Sequence, residues 1–222
     1  MPAFNTRPAM LILPGGGYAY CSAREADPVA MQFLQAGYQT FVLEYTCAHT
    51  PEQAPLRWQP LIDAAGAILH LRRNAAKLRL DPFKIAVCGF SAGGHLAAST
   101  AILWDAEPVQ KALGIHGTEA RPDAVVLGYP VITADQEFCN VYSFNYLLGA
   151  DAPEAVRQEL SLEKRVSAQT PPAFLWHTME DGAVPVENSM MFAQALRKAG
   201  VPFELHIYQK GPHGRGLFSG HP

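Results

Sequence analysis

Cysteine is scarce in this chain. Its four cysteines, Cys21, Cys47, Cys88 and Cys139, stand far apart and none belongs to a C-x-x-C pair. That usage excludes a small disulfide-stapled scaffold and reads as buried or incidental thiols in a reducing compartment, which favours the cytoplasm; a secreted protein whose leader had been removed would leave the same trace. Long apolar runs are lacking as well. Each is interrupted within about ten residues, against the roughly 20 that a bilayer-spanning helix needs, and no charged-then-apolar leader opens the chain. Positive charge is in no surplus: 17 Lys and Arg against 20 Asp and Glu give a net charge of -3. Neither nucleic acid nor an anionic membrane is therefore expected as a partner. Metal-ligand spacings are missing too, since His49, His70, His116, His206 and His221 never form an H-x-x-x-H pattern, so no metal is expected.

What remains is a chain able to bury one substantial core. With 222 residues, 49% of them hydrophobic, a single domain over 1–222 is the expectation. Short β-rich runs at Met10–Pro14, Tyr38–Tyr45, Lys84–Phe90, Ala124–Pro130, Ala173–Thr178 and Phe203–Tyr208 alternate with helical patterns at Asp27–Ala36, Pro60–Leu78, Ala92–Trp104 and Val186–Lys198. Several of the strands are apolar almost throughout, as strands buried on both faces must be. The repeated βα pattern predicts an α/β fold with a mostly parallel, doubly wound sheet and helices on both faces, whose ligands bind at the carboxyl ends of the strands. Residues 131–172 form a longer, less regular connection containing Asn140–Tyr146 and one helix, Pro153–Leu160, and they are read as a small cap over that end.

The strongest chemical signal is Gly89-Phe90-Ser91-Ala92-Gly93, placed between a strand and a helix. A serine on such a sharp turn needs small neighbours two residues to either side, and the turn lifts its hydroxyl to a helix N-terminus, where developing negative charge is favoured. In the absence of that context the same string would read as a glycine-rich turn with an N-capping serine. At the end of the first strand stands Leu13-Pro14-Gly15-Gly16-Gly17-Tyr18. Glycines there let backbone N–H groups approach a substrate oxygen, so that they and the Ala92 amide could form an oxyanion hole. A dinucleotide fingerprint would need a glycine at Tyr20 and an immediate helix, and it has neither. Two further residues lie just beyond strands: Asp181, in the turn Asp181-Gly182-x-x-Pro185, and His213, in Gly211-Pro212-His213-Gly214. A serine needs an imidazole to take its proton, and the imidazole needs a carboxylate to fix its tautomer. Glu180 is the rival acid; His177 and His95 are read as packing or supporting residues, and Cys88 as a buried small hydrophobe.

These residues resemble the α/β-hydrolase superfamily, and within it the acetyl esterase/lipase group that includes carboxylesterases and acetyl-xylan-esterase-like proteins. The resemblance rests on Pro14–Tyr18, on Gly89–His95, on Pro171-Pro172-Ala173-Phe174 leading to Asp181, and on Gly211–Gly214. It implies a Ser91, Asp181 and His213 triad, oxyanion-hole amides from Gly16, Gly17 and Ala92, a turn shaped by Gly15, and no cofactor. Pro14 stands where the family often has histidine, so a side-chain hydrogen bond holding the oxyanion loop is missing at that position. The first strand opens almost at the N-terminus and the chain ends nine residues after His213, where a closing helix would be expected, so the protein is either minimal or lacks its ends here.

The resulting expectation is a serine esterase acting on short, above all acetyl, esters. Its partner is then a small-molecule ester, acetylated carbohydrate among the candidates, and a homodimer stays open. Tyr18, Phe90 and Tyr129 are expected to line the substrate pocket and limit acyl length. A serine peptidase or amide hydrolase is the enzymatic alternative; it would need an acidic pair to bind a peptide N-terminus, and the cap holds no clear one, Asp135 and Glu137 being the candidates. A non-catalytic binding module is the other, and it would be expected to have lost a member of the Ser, Asp and His set.

Overall fold

The computed structural model describes residues 6–217, and His221 lies outside them. Six strands, β1 (Arg7–Leu13), β2 (Gln39–Val42), β3 (Leu80–Phe90), β4 (Ala124–Gly128), β5 (Ala173–Thr178) and β6 (Phe203–Tyr208), form one sheet in the order β2-β1-β3-β4-β5-β6. Every neighbouring pair is parallel. The order reverses between β1 and β3, and it is at such a switch that the loops leaving adjacent strands diverge and open a crevice. In register Leu13 stands beside Gly89, which sets the glycine loop after β1 next to the turn after β3.

Strand alternation divides the sheet residues between two clusters. Ala9, Leu11, Leu13, Ile85 and Val87 enter the larger core, under helices α2 (Gln59–Arg73), α4 (Ser91–Ile102) and α8 (Glu187–Ala199). Met10, Ile12, Cys88 and Phe90 take the opposite face, where α1 (Asp27–Gln35) contributes Val29. Helix α4 is buried on every side, with Gly93, Gly94, Ala97, Ala98 and Ala101 along it. Its small residues let the helix lie close against the sheet, so a hydrophobic period is not needed to orient it.

The helical pattern expected to run from Pro60 to Leu78 is broken: α2 ends at Arg73, and Asn74 leads into a separate short helix, α3 (Ala75–Leu78). Helix α5 (Glu107–Leu113) is a further element. The long connection carries α6 (Val141–Leu148) and α7 (Glu154–Glu159). All four cysteines are free thiols; Cys88 is buried and the Cys21 and Cys47 sulfurs lie 3.8 Å apart. Among the described residues no helix is long and apolar enough to cross a membrane, and no cluster of potential metal ligands occurs.

Candidate active site

Ser91 sits where β3 becomes α4, with φ of 53°, in the left-handed region. A non-glycine residue is held there only when its surroundings over-determine it, and such strain concentrates at functional turns. The surroundings explain the glycines. A Cβ on Gly89 would stand 2.1 Å from the Gly93 carbonyl oxygen, and one on Gly93 would stand 2.2 Å from the Leu13 carbonyl oxygen. Both positions are closed to any side chain because the turn folds the helix start back onto the ends of β1 and β3.

The loops after β5 and β6 bring two more groups to Ser91. His213 Nε2 lies 2.8 Å from Ser91 Oγ, and His213 Nδ1 lies 2.6 Å from Asp181 Oδ2. The carboxylate only accepts, so Nδ1–H donates to Asp181 and Nε2 is left to accept from the serine hydroxyl. Asp181 is itself held firmly: Oδ1 accepts the Ala183 and Val184 amides, each at 2.9 Å. Burial raises its pKa, but hydrogen bonds from His177, His213 and the Val184 amide outweigh burial and hold the carboxyl well below the ordinary carboxylate range. The neighbouring Glu180 is exposed and, among the described residues, meets only the Gly211 amide, at 3.4 Å.

His177 and His95, the two histidines near the site by sequence, prove to be internal. His177 is fully buried, with Nε2 3.0 Å from the Val184 carbonyl oxygen and 3.3 Å from Asp181 Oδ2, and Nδ1 2.8 Å from Ser189 Oγ. It braces the acid loop from behind. His95 donates from Nε2 to the Leu160 carbonyl and accepts the Tyr18 hydroxyl at Nδ1, and burial pushes its pKa down to about 4, so it is neutral.

Ser91 and His213 open into a cleft of about 400 Å³ whose walls include Gly16, Gly17, Tyr20, Glu25, Asn140 and Tyr142. Gly16 and Gly17 have φ of 131° and 66°, and a Cβ on Gly17 would collide with the Tyr142 ring at 2.3 Å. The Gly16 carbonyl turns inward to accept the Ala19 amide, while among the described residues neither the Gly16 nor the Gly17 amide donates to another group. Ala92 stands in the first turn of α4, where backbone N–H groups have no helical partner. The structure thus brings the three expected donor residues to the same end of the sheet as Ser91.

Tyr18, Phe90 and Tyr129, expected at the substrate, lie elsewhere, and this is a correction. Tyr18 is 1% exposed: its φ of 64° turns the ring under the glycine loop, where the hydroxyl donates to His95. Phe90 faces the α1 side of the sheet because strand alternation places it with Cys88. Tyr129 is buried beneath the site, edge-on to His213 at 4.9 Å between ring centroids, and its hydroxyl donates to Glu25. The exposed rings at the cleft are Tyr20 and Tyr142, 56% and 52% accessible, which residue reasoning did not single out. The string Asn140–Tyr146 was the available signal for Tyr142. Glu25 had none, because an acid at the start of a helix reads as an ordinary first-turn charge. Asp135 and Glu137 do not line the cleft; Asp135 Oδ1 accepts the Glu137 amide in a local turn.

The BD-FAE family profile matches residues 2–196. Endo-1,4-beta-xylanase B of Butyrivibrio fibrisolvens is 42% identical over 94% of this chain and 32% of its own length. The acetylxylan esterase of Xylanibacter ruminicola is 30% identical over 94% of this chain and 41% of its own length. The chain therefore spans well under half of either curated relative. Among solved structures, the acetyl ester-xyloside bifunctional hydrolase of Caldicellulosiruptor lactoaceticus is 40% identical, with a TM-score of 0.87 over 99% of this chain and 78% of that one.

Proposed function

The chain belongs to the BD-FAE family of α/β hydrolases, related to acetylxylan esterases and carboxylesterases, and from that premise we propose that it is a serine esterase cleaving short acyl esters of sugars by way of an acyl-enzyme. The observation that carries this reading is the hydrogen-bonded line from Ser91 through His213 to the buried Asp181, with Ser91 and His213 in one cleft with Gly16 and Gly17. His213 Nε2 takes the proton of Ser91 as the serine oxygen attacks the ester carbonyl. The charge on the tetrahedral oxygen is met by the amides of Gly16, Gly17 and Ala92. His213, now charged and steadied by Asp181, returns its proton to the leaving alcohol. Water, deprotonated by the same imidazole, then releases the acid. A purified protein that cleaves acetylated xylo-oligosaccharides and is labelled at Ser91 by a serine-directed phosphonate is the expected result; labelling elsewhere would overturn the assignment.

The pH dependence follows from the protonation states. Asp181 is held well below the ordinary carboxylate range, so it is already ionised where a neutral imidazole is needed to accept the Ser91 proton. Accordingly kcat/KM is expected to rise with pH along an acid limb whose limiting slope is one proton. A limiting slope of two in log(kcat/KM) against pH would show that a second group, the carboxylate included, must also be deprotonated.

The preference for short acyl groups draws support from the space near Ser91. Tyr129 packs edge-on against His213, and the larger apolar groove, about 550 Å³ with Phe90, Phe174 and Trp176 in its walls, includes neither Ser91 nor His213. The cleft at Ser91 meets the exposed rings of Tyr20 and Tyr142, a surface on which the sugar of a leaving alcohol can stack. A deep pocket would add about 0.8 kcal/mol per buried methylene, roughly fourfold in kcat/KM for each carbon. Instead, kcat/KM for p-nitrophenyl esters from acetate to laurate should peak at roughly two to four carbons and then fall. A maximum at about eight carbons or beyond would refute the shallow pocket.

A further inference from the structure

A second carboxylate is buried in the cleft wall, and the mechanism above does not use it. Glu25 closes a three-residue turn, Ala23–Glu25, and is 3% exposed. Its Oε2 accepts the Gly15 amide at 2.7 Å, and its Oε1 accepts the Tyr129 hydroxyl at 2.6 Å. The Tyr129 oxygen in turn accepts the Gly216 amide at 2.7 Å, while the ring lies edge-on to His213. Arg24, the residue before, donates to the Gly214 carbonyl at 2.6 Å. One short turn therefore grips the glycine loop at Gly15 and the His213 loop at two points just past the imidazole.

The glycine loop supplies no side chain to hold itself; its carbonyls are held by the Tyr45 hydroxyl at Pro14 and the Ser22 amide at Gly15, and its Gly15 amide is held by Glu25. Pro14 and Gly15–Gly17 carry no polar side chain, and Pro14 also lacks an amide hydrogen. Gly15 is wedged: a Cβ there would stand 2.6 Å from Glu25 Oε2 and 2.9 Å from Ser91 Cβ. A buried carboxylate is costly to keep out of water unless donors surround it, and here one donor is the glycine loop itself, through Gly15, while the other, Tyr129, carries the link on to the His213 loop at Gly216.

Resting on the reading of Ser91 as nucleophile, we propose that Glu25 is a positioning residue, which sets the oxyanion loop and the His213 loop in mutual register around the serine. It touches no reacting atom. Through Gly15 it places the Gly16 and Gly17 amides, and through Tyr129 it seats the imidazole. Donors aimed at a charge that exists only in the transition state lose most of their effect when displaced by a fraction of an ångström, so the consequence falls on kcat rather than on KM.

The test compares Glu25→Gln, Tyr129→Phe and wild type by kcat per competent site, counted by titration with a phosphonate ester, together with KM for p-nitrophenyl acetate and melting temperature. Glutamine keeps the shape but turns an NH₂ group toward one of two donors. Its kcat per titrated site should fall about 10- to 100-fold with KM changed by less than about threefold. Tyr129→Phe removes only the hydroxyl that links the two loops and should fall by about 3- to 10-fold, and the double variant should fall no further than Glu25→Gln because both act through one network. An unchanged kcat per site in Glu25→Gln, with any loss confined to the number of titratable sites or to melting temperature, overturns the proposal and leaves Glu25 as a residue that holds the fold. Should Glu25→Gln fail to fold, Tyr129→Phe decides alone, and an unchanged kcat per site overturns it. If the phosphonate does not titrate wild type, it is the assignment of Ser91 that fails.

Discussion

Ser91→Ala is expected to lower kcat by about ten-thousand-fold or more while the protein still folds, because a serine nucleophile cannot be replaced by the groups around it and only binding and the oxyanion donors remain. The substitution removes a single oxygen. Alanine tolerates the left-handed backbone at position 91, where φ is 53°, about as well as serine does, and it leaves the tight contacts of Gly89 and Gly93 untouched. The freed His213 Nε2 faces the cleft and can turn to water. Circular dichroism and thermal melting should superpose on wild type, and the phosphonate should leave the variant unmodified by mass spectrometry. Substantial turnover by the purified variant would mean that another group attacks the ester.

Asp181→Asn should cost about 10⁴-fold in kcat, the magnitude that the wrong imidazole tautomer brings to a triad of this kind. The bonding around the carboxylate shows why. Oδ1 already accepts the Ala183 and Val184 amides, and Oδ2 accepts His213 with His177 close behind. Asparagine has one acceptor oxygen, and the two backbone amides claim it. Its NH₂ group then points at His213 Nδ1, which must accept; the proton moves to Nε2, and the imidazole offers Ser91 a donor where it needs an acceptor. Glu180→Gln changes kcat by less than about threefold by contrast, since that side chain is exposed and its bond to the Gly211 amide is long. Steady-state kinetics of the two variants side by side decide between the carboxylates: a large loss in Glu180→Gln with Asp181→Asn near wild type reverses them.

Much of this was determined by the sequence alone, and for a local reason. The glycines at 89 and 93 are needed because the backbone doubles back within five residues, and the strand and helix patterns on either side say what it doubles back between. Alternating βα runs required a parallel sheet, and a parallel sheet places the loops holding Gly16, Ser91, Asp181 and His213 at one end, so the candidate residues could be gathered without knowing a single distance. Where a side chain points is a different kind of fact. Tyr18, Phe90 and Tyr129 follow the right strands, yet a positive φ at 18 and 129 and the pleat at 90 send their rings into the interior, toward partners such as His95 and Glu25 that lie 77 and 104 residues away in the chain. Tyr20 reaches the cleft from the loop after β1 and Tyr142 from the first turn of α6, and Glu25 gained its place only because Gly15 and Tyr129 converge on it. Local backbone demands are written into neighbouring residues; the direction of a side chain and the burial of a charge depend on what distant segments bring to meet it, and only the folded chain decides that.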